Sequence, residues 1–128
     1  MAIQQVSDSE LEILKIIWGT GGAALYAHIM EKLSEAGYTW QKNTVITLLS
    51  RLTGKGLVKV KKIGRRNEYI AAVSEKDYQA AQTQVLLNKL YEGSAKGLVS
   101  TLIQRDMISA EEYEELKRFW ESGWNENE

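Results

Sequence analysis

A mainly α fold with one small β-hairpin is the class this sequence predicts, and three observations predict it. Apolar residues recur at helical spacing in several separate stretches, two of which open on a capping box. A single stretch, Leu57 to Val73, breaks that rhythm with β-branched residues and lysines placed around a glycine turn. Proline is absent from all 128 residues, which suits helices joined by few rigid loops.

The first helix opens at Val6-Ser7-Asp8-Ser9-Glu10-Leu11. Ser7 and Glu10 have capping-box spacing, and Val6 with Leu11 has the spacing of a hydrophobic staple. Leu11, Leu14, Ile17 and Trp18 then form the expected buried stripe, with Trp18 as a core anchor. Gly19-Thr20-Gly21-Gly22 breaks the helix. No strand precedes these glycines and no Gly-Lys-Ser/Thr follows them, so they read as a helix-helix turn and not as a phosphate cradle. A second helix is expected over about 23–36, with Leu25, Ile29 and Leu33 inward and Gly37 as its stop. Tyr38-Thr39 is a short link and the candidate for a small third strand.

The third helix, about 41–54, follows Trp40. Val45, Leu48, Leu49 and Leu52 share one face at 100° per residue; Asn43, Thr47 and Ser50 point the other way, flanked by Thr44, Ile46 and Arg51. Trp40 and Val45 stand at staple positions if Gln41 is the cap, although Gln is a poor cap. Gly54 and Gly56 end the helix. Leu57–Ile63 then reads as a strand, Gly64-Arg65-Arg66-Asn67 as a turn, and Glu68–Val73 as the returning strand. Three helices and a hairpin in this order are the layout of a winged helix-turn-helix domain over residues 1–73, with the third helix presented and the hairpin, about 57–73, as its wing.

Charge singles out the same region. Between Gln41 and Asn67 lie Lys42, Arg51, Lys55, Lys59, Lys61, Lys62, Arg65 and Arg66, with no Asp or Glu among them, although the whole chain holds 16 basic and 17 acidic residues. An ordinary solvated face mixes both signs. A one-sign strip on a helix and hairpin predicts a polyanionic partner, and double-stranded DNA fits the layout: the helix enters the major groove and the hairpin grips the flanking backbone. The candidate contact residues are Gln41, Lys42, Asn43, Thr44, Ile46, Thr47, Arg51, Lys62, Arg65, Arg66 and Asn67. Lysines Lys59 and Lys61 are expected to add phosphate contacts. The alternative is a winged-helix module that meets an acidic protein and binds no DNA.

From Ser74 the chain is helical to its end. Ser74 with Asp77 starts a helix that runs to about Tyr91, Glu92-Gly93-Ser94 interrupts it, and a further helix carries Leu98, Val99, Leu102 and Ile103 on one face. Ser109 with Glu112 opens the last helix, and Trp124-Asn-Glu-Asn-Glu is expected to fray. Three short helices cannot bury so many apolar side chains on one another, and at about 25 cal/mol per Å² leaving them wet costs several kcal/mol. Residues 74–128 are therefore expected to be a helical dimerisation region, with Leu90, Tyr91, Leu98, Val99, Leu102, Ile103, Tyr113, Leu116, Phe119 and Trp120 at the homodimer interface.

Composition excludes other classes. There is no cysteine, hence no disulfide, thiolate nucleophile or zinc-cysteine site. His28 is the only histidine and alone builds neither a metal site nor a triad. No nucleophile-base pair or paired acids point to catalysis, so an enzyme, a metal and a cofactor are not expected. MAIQQVSDSE lacks the regions of a signal peptide and no apolar run reaches a membrane span, so a cytoplasmic protein is expected.

Several blocks, in order, resemble the penicillinase repressor family, the BlaI/MecI type with its copper-responsive CopY relatives: SDSELEILKIIW, WQKNTVITLLSRLTGKGLV, Tyr91-Glu-Gly-Ser with LVSTLI, and SAEEYEELK. The resemblance implies a homodimeric winged-helix repressor on a dyad operator with half-sites of the TACA/TGTA kind. It places Thr44, Thr47 and Arg51 where members contact DNA. Asn43 and Ile46 stand where penicillinase repressors tend to carry basic residues, so Ile46 could instead press on a thymine methyl. Lys42 replaces the usual helix-opening proline. The family's inducing cleavage at an Asn-Phe bond falls here on Thr101-Leu102, and the copper relatives' cysteine cluster has no counterpart. The resemblance therefore implies an inducer or a sensor protease as a further partner, without a matching cleavage bond.

Overall fold

The computed structural model describes residues 3–123, so the expectation for the tail at 124–128 lies outside the described residues. The elements run α1 (Asp8–Gly19), β1 (Ala23–Leu25), α2 (Tyr26–Glu35), α3 (Lys42–Gly54), β2 (Val58–Ile63), β3 (Arg66–Ala71), α4 (Glu75–Tyr91), α5 (Ala95–Gln104) and α6 (Ala110–Glu121). They form two compact units, Met1–Thr83 and Gln84–Glu128, with the division inside α4.

In the first unit the core is made by α1, α2 and α3 over one face of a small sheet. The capping box of α1 is present: Ser7 Oγ accepts the Glu10 N–H at 3.2 Å and Glu10 Oε1 accepts the Ser7 N–H at 2.9 Å. The inward face of α1 is Glu10, Ile13, Leu14 and Ile17. It is rotated from the expected stripe, because Leu11 and Trp18 are only half-buried while Ile13 is fully buried. Trp18 instead holds the rim. Its Nε1–H donates to the Val73 carbonyl at 2.9 Å, and its ring leans on Tyr78, with centroids 5.9 Å apart. Tyr78 is buried and its hydroxyl accepts the Val6 N–H at 3.1 Å, which fixes the start of α4 to this unit.

Two expectations are corrected by strand pairing. Residues 23–25 are not the first turn of α2 but a strand, paired antiparallel with β3 through Ala24↔Tyr69, and the sheet order is β1-β3-β2. The third strand is therefore Ala23–Leu25 and not Tyr38-Thr39, and Leu25 is a half-buried helix cap and not core. Ala-Ala-Leu carries no strand signal of its own; the exposed edge of β3 selects the conformation. The hairpin loop is also shorter than the expected four residues. Ile63 pairs with Arg66, so Gly64-Arg65 is the loop and Arg66 and Asn67 already belong to β3.

In the second unit, Ser94 caps α5 by accepting the Gly97 N–H at 3.0 Å, and Ser109 with Glu112 completes a capping box on α6. No residue from 84 to 123 is buried. Leu90, Val99, Ile103, Tyr113, Leu116, Phe119 and Trp120 are all exposed, and Tyr91, Leu98 and Leu102 half-buried.

Glu10 is the one buried charged side chain among the described residues. Lys55, the C-cap of α3, donates to its Oε1 at 2.6 Å and to the Gln5 carbonyl at 3.2 Å, tying the start of α1 to the end of α3. Burial pushes the Glu10 carboxyl up, but the hydrogen bonds from Lys55 and the Ser7 N–H, with the charges of Lys55 and Arg51, leave it below the ordinary 4.5. A carboxyl depressed by folding stabilises the fold above its unfolded pKa and loses that contribution as pH falls through its folded value. Lys55→Met strands a buried carboxylate and is expected to cost about 3 kcal/mol in urea unfolding at pH 7, part of which Glu10→Gln restores in the double variant. Below pH 4.5 the wild type is expected to lose more stability than that double variant does.

Candidate nucleic-acid interface

The exposed surface of α3 follows from what the helix buries. Val45, Leu48, Leu49 and Leu52 are all within the core, as expected. Two rows at i, i+4 spacing are left outside: Lys42, Ile46 and Ser50, and beside them Asn43, Thr47 and Arg51. All six are exposed, as are Gln41 and Thr44. Gln41 is the N-cap and makes no side-chain capping bond, so its amide is not committed to the helix.

Strand alternation then sorts the wing. Val58, Val60 and Lys62 share a face with their partners Ala71, Tyr69 and Asn67, and the burial of Val58 and Tyr69 turns that face toward the helices. Lys59 and Lys61 stand on the opposite face, across from Ile70 and Glu68. The two lysines thus point away from the side that Lys62 and Asn67 share. At the tip, Gly64 has φ of +62° and Arg65 does not have a positive φ, the pattern of a type II′ hairpin turn.

A crevice of about 520 Å³ lies between α2, α3 and the wing, lined by Lys42, Ile46, Arg65, Arg66 and Asn67 together with Leu25, Tyr26, Ala27 and Tyr69. A second hollow of about 310 Å³ collects Asn43, Thr44, Thr47 and Arg51. Nine of the eleven candidate residues therefore gather into two groups sharing α3, while Gln41 and Lys62 line neither. Sequence reasoning missed Tyr26. Burial, with Tyr69 close by, pushes its phenol up, so at neutral pH its hydroxyl is a neutral donor. No local signal set it apart, because Tyr26 stands at i, i+3 from Ile29 and i, i+7 from Leu33 and so reads as part of their buried stripe.

Of the eight cations in the strip only Lys55 is neutralised from within, by Glu10. Among the described residues, Lys42, Arg51, Lys59, Lys61, Lys62, Arg65 and Arg66 form no ion pair. The surface can therefore do what unpaired cations around short polar side chains do, which is to hold a polyanion while hydroxyls and amides meet its finer features.

The profile of the family described as Penicillinase repressor matches residues 6–122. This chain belongs to the penicillinase repressor family. The penicillinase repressor of Bacillus licheniformis is 33% identical over 123 residues, covering 96% of this chain and 94% of the relative. The methicillin resistance regulatory protein MecI of Mammaliicoccus sciuri is 30% identical over 113 residues, covering 88% and 90% respectively. Among solved structures, the monomeric form of Bacillus licheniformis BlaI in complex with the blaP half-operator matches with a TM-score of 0.51 and 37% identity, over 59% of this chain and 90% of that one. The family consists of repressors and not of enzymes, and the winged-helix class expected for residues 1–73 is the class of the BlaI DNA-binding domain, whose solution structure matches with a TM-score of 0.52 and 37% identity.

Because a Cβ at Gly64 would meet nothing within 4 Å, only backbone strain opposes a side chain there. Gly64→Ala is expected to cost about 1 kcal/mol, read as a lowered urea midpoint with an unchanged slope.

Proposed function

We propose that this chain is a sequence-specific, DNA-binding transcriptional repressor that acts as a homodimer on a dyad-symmetric promoter operator. Residues 1–73 bind the DNA, with the recognition helix over about 41–54 and the wing over about 57–73, and residues 74–128 pair the two copies. The observation that carries this reading is the row of unpaired cations flanking the exposed polar face of α3, in a fold shared with a BlaI domain that was solved on its half-operator.

Lys62, Arg65 and Arg66 hold phosphates on the wing side, and Lys42 does so at the start of α3. Gln41, Asn43, Thr44, Thr47 and Arg51 meet base edges or the adjacent backbone, and Asn67 supplies a wing-side hydrogen bond. Lys59 and Lys61, on the far face of the sheet, add only to the long-range field. Repression follows from occupancy: a promoter covered by the dimer is closed to polymerase.

Dimerisation answers the exposed apolar faces of the second unit. Seven large side chains named above are open to water there, and a twofold partner presenting the same faces would cover them and set two recognition helices about one duplex turn, or a small multiple, apart. The protein works in the cytoplasm; no described helix is long and apolar enough to cross a membrane. An inducer or a sensor protease would release it. Thr101 and Leu102, where the family's cleavage bond would fall, lie inside α5, and Thr101 Oγ1 donates to the Gly97 carbonyl at 3.2 Å.

Two measurements test the proposal. In gel shifts at several salt concentrations, Arg51→Ala is expected to weaken operator binding, and Arg65→Ala or Arg66→Ala to lower the slope of log K against log salt by about 1 each, with less change for Lys59→Ala and Lys61→Ala. Unchanged affinity and slopes across the first three would refute it. In sedimentation, Leu102→Glu with Trp120→Glu is expected to give monomers that lose operator binding; a wild-type monomer at micromolar concentration overturns the dimer.

A further inference from the structure

Ile46 occupies a place that the phosphate-and-hydrogen-bond account of this surface leaves without a task. It is the one large apolar side chain on the exposed side of α3, since Val45, Leu48, Leu49 and Leu52 are all buried. It is 42% exposed and sits in the middle of its row, one turn after Lys42 and one turn before Ser50. With Asn67 and Tyr69 it forms the shared wall of two crevices, the one lined by Lys42, Arg65 and Arg66 and a neighbouring one lined by Ser50, Thr53 and Val60, so both open beside it. A β-branched residue in a helix is held in essentially one χ1 rotamer, so its methyl groups are presented in a fixed position.

We infer that Ile46 is a specificity-determining residue that reads the C5-methyl group of a thymine in each half-site. The inference rests on the operator reading above: if α3 enters the major groove, the middle of its exposed face must meet base edges. Every base edge in that groove presents hydrogen-bonding groups, and Ile46 can satisfy none of them. Pressed against a cytosine amine or a guanine oxygen it would strip water from that group and return nothing. The single apolar feature in the groove is the thymine methyl. Ile46 therefore favours an A·T pair and also its orientation, because the methyl lies on one strand only. Thr47 at the centre of the other row can donate and accept, so the two central residues divide the reading between apolar and polar features.

The test uses the full chain. A synthetic, unmethylated duplex library is enriched for binding, and each thymine of the selected half-site is then replaced in turn by deoxyuridine, which deletes one methyl and leaves every hydrogen-bonding group in place. Wild type is expected to lose roughly fourfold in affinity at one thymine per half-site, the worth of one buried methyl group. Ile46→Ala is expected to bind the thymine duplex more weakly and to make no distinction between thymine and uracil at that position, with a urea midpoint close to wild type. Equal wild-type affinities for all thymine and uracil duplexes overturn the assignment of Ile46 alone, as does uracil sensitivity that persists unchanged in Ile46→Ala. Failure to enrich any duplex overturns the operator reading and this inference with it.

Discussion

Val45, Leu48, Leu49 and Leu52 go into the core together, and that burial fixes the rotation of α3 about its own axis. A helix turned by one residue would keep only Leu48 or Leu49 of these four contacts and drag Thr44, Thr47 and Arg51, or Ile46, Ser50 and Thr53, inside. Each such exchange costs on the order of 1–3 kcal/mol, so the outward rows are determined by the inward stripe. The same stripe packs beside Ile13, Leu14 and Ile17 of α1, and the Glu10–Lys55 pair closes the joint at the far end of α3. A rod held along its length and pinned at one end presents its polar side chains in fixed positions, which is what recognition of a rigid duplex needs.

The division of labour among the cations follows from geometry more than from their number. Eight basic residues look equivalent in the sequence, but the fold gives them three roles. Lys55 is spent on Glu10 and holds α3 in place. Lys59 and Lys61 stand on the outer face of the sheet, by the alternation of the strand. Lys42, Arg51, Lys62, Arg65 and Arg66 remain for direct contact. A short type II′ loop serves this arrangement, because Gly64 lets the strands reverse at once and leaves Arg65 at the tip with Arg66 next to it.

The parts of the fold that were legible in the sequence are those with local causes. Ser7 with Glu10, and Ser109 with Glu112, announce their helices because a capping box is a contact between residues three apart. The stripe of α3 was legible because its period is unbroken. What stayed hidden depends on distant partners. Ala23–Leu25 becomes a strand only because β3 offers it an edge, and Lys55 looks like any surface lysine until Glu10, 45 residues earlier, is folded against it. For the interface, the exposed rows of α3 could be read residue by residue, whereas the crevice joining Lys42 to Arg65 and Arg66 across Tyr26 could not, since it depends on where α2 begins.

The central claim is that one continuous surface, the outward rows of α3 with the wing tip, lies along the duplex. Amide chemical-shift mapping of the isotopically labelled chain, titrated with an operator duplex, tests this most directly. The account predicts the largest shifts over residues 41–51 and 62–67, with smaller ones at Lys59 and Lys61. Shifts concentrated on the outer face of the sheet or on α6, with α3 unmoved, would contradict it.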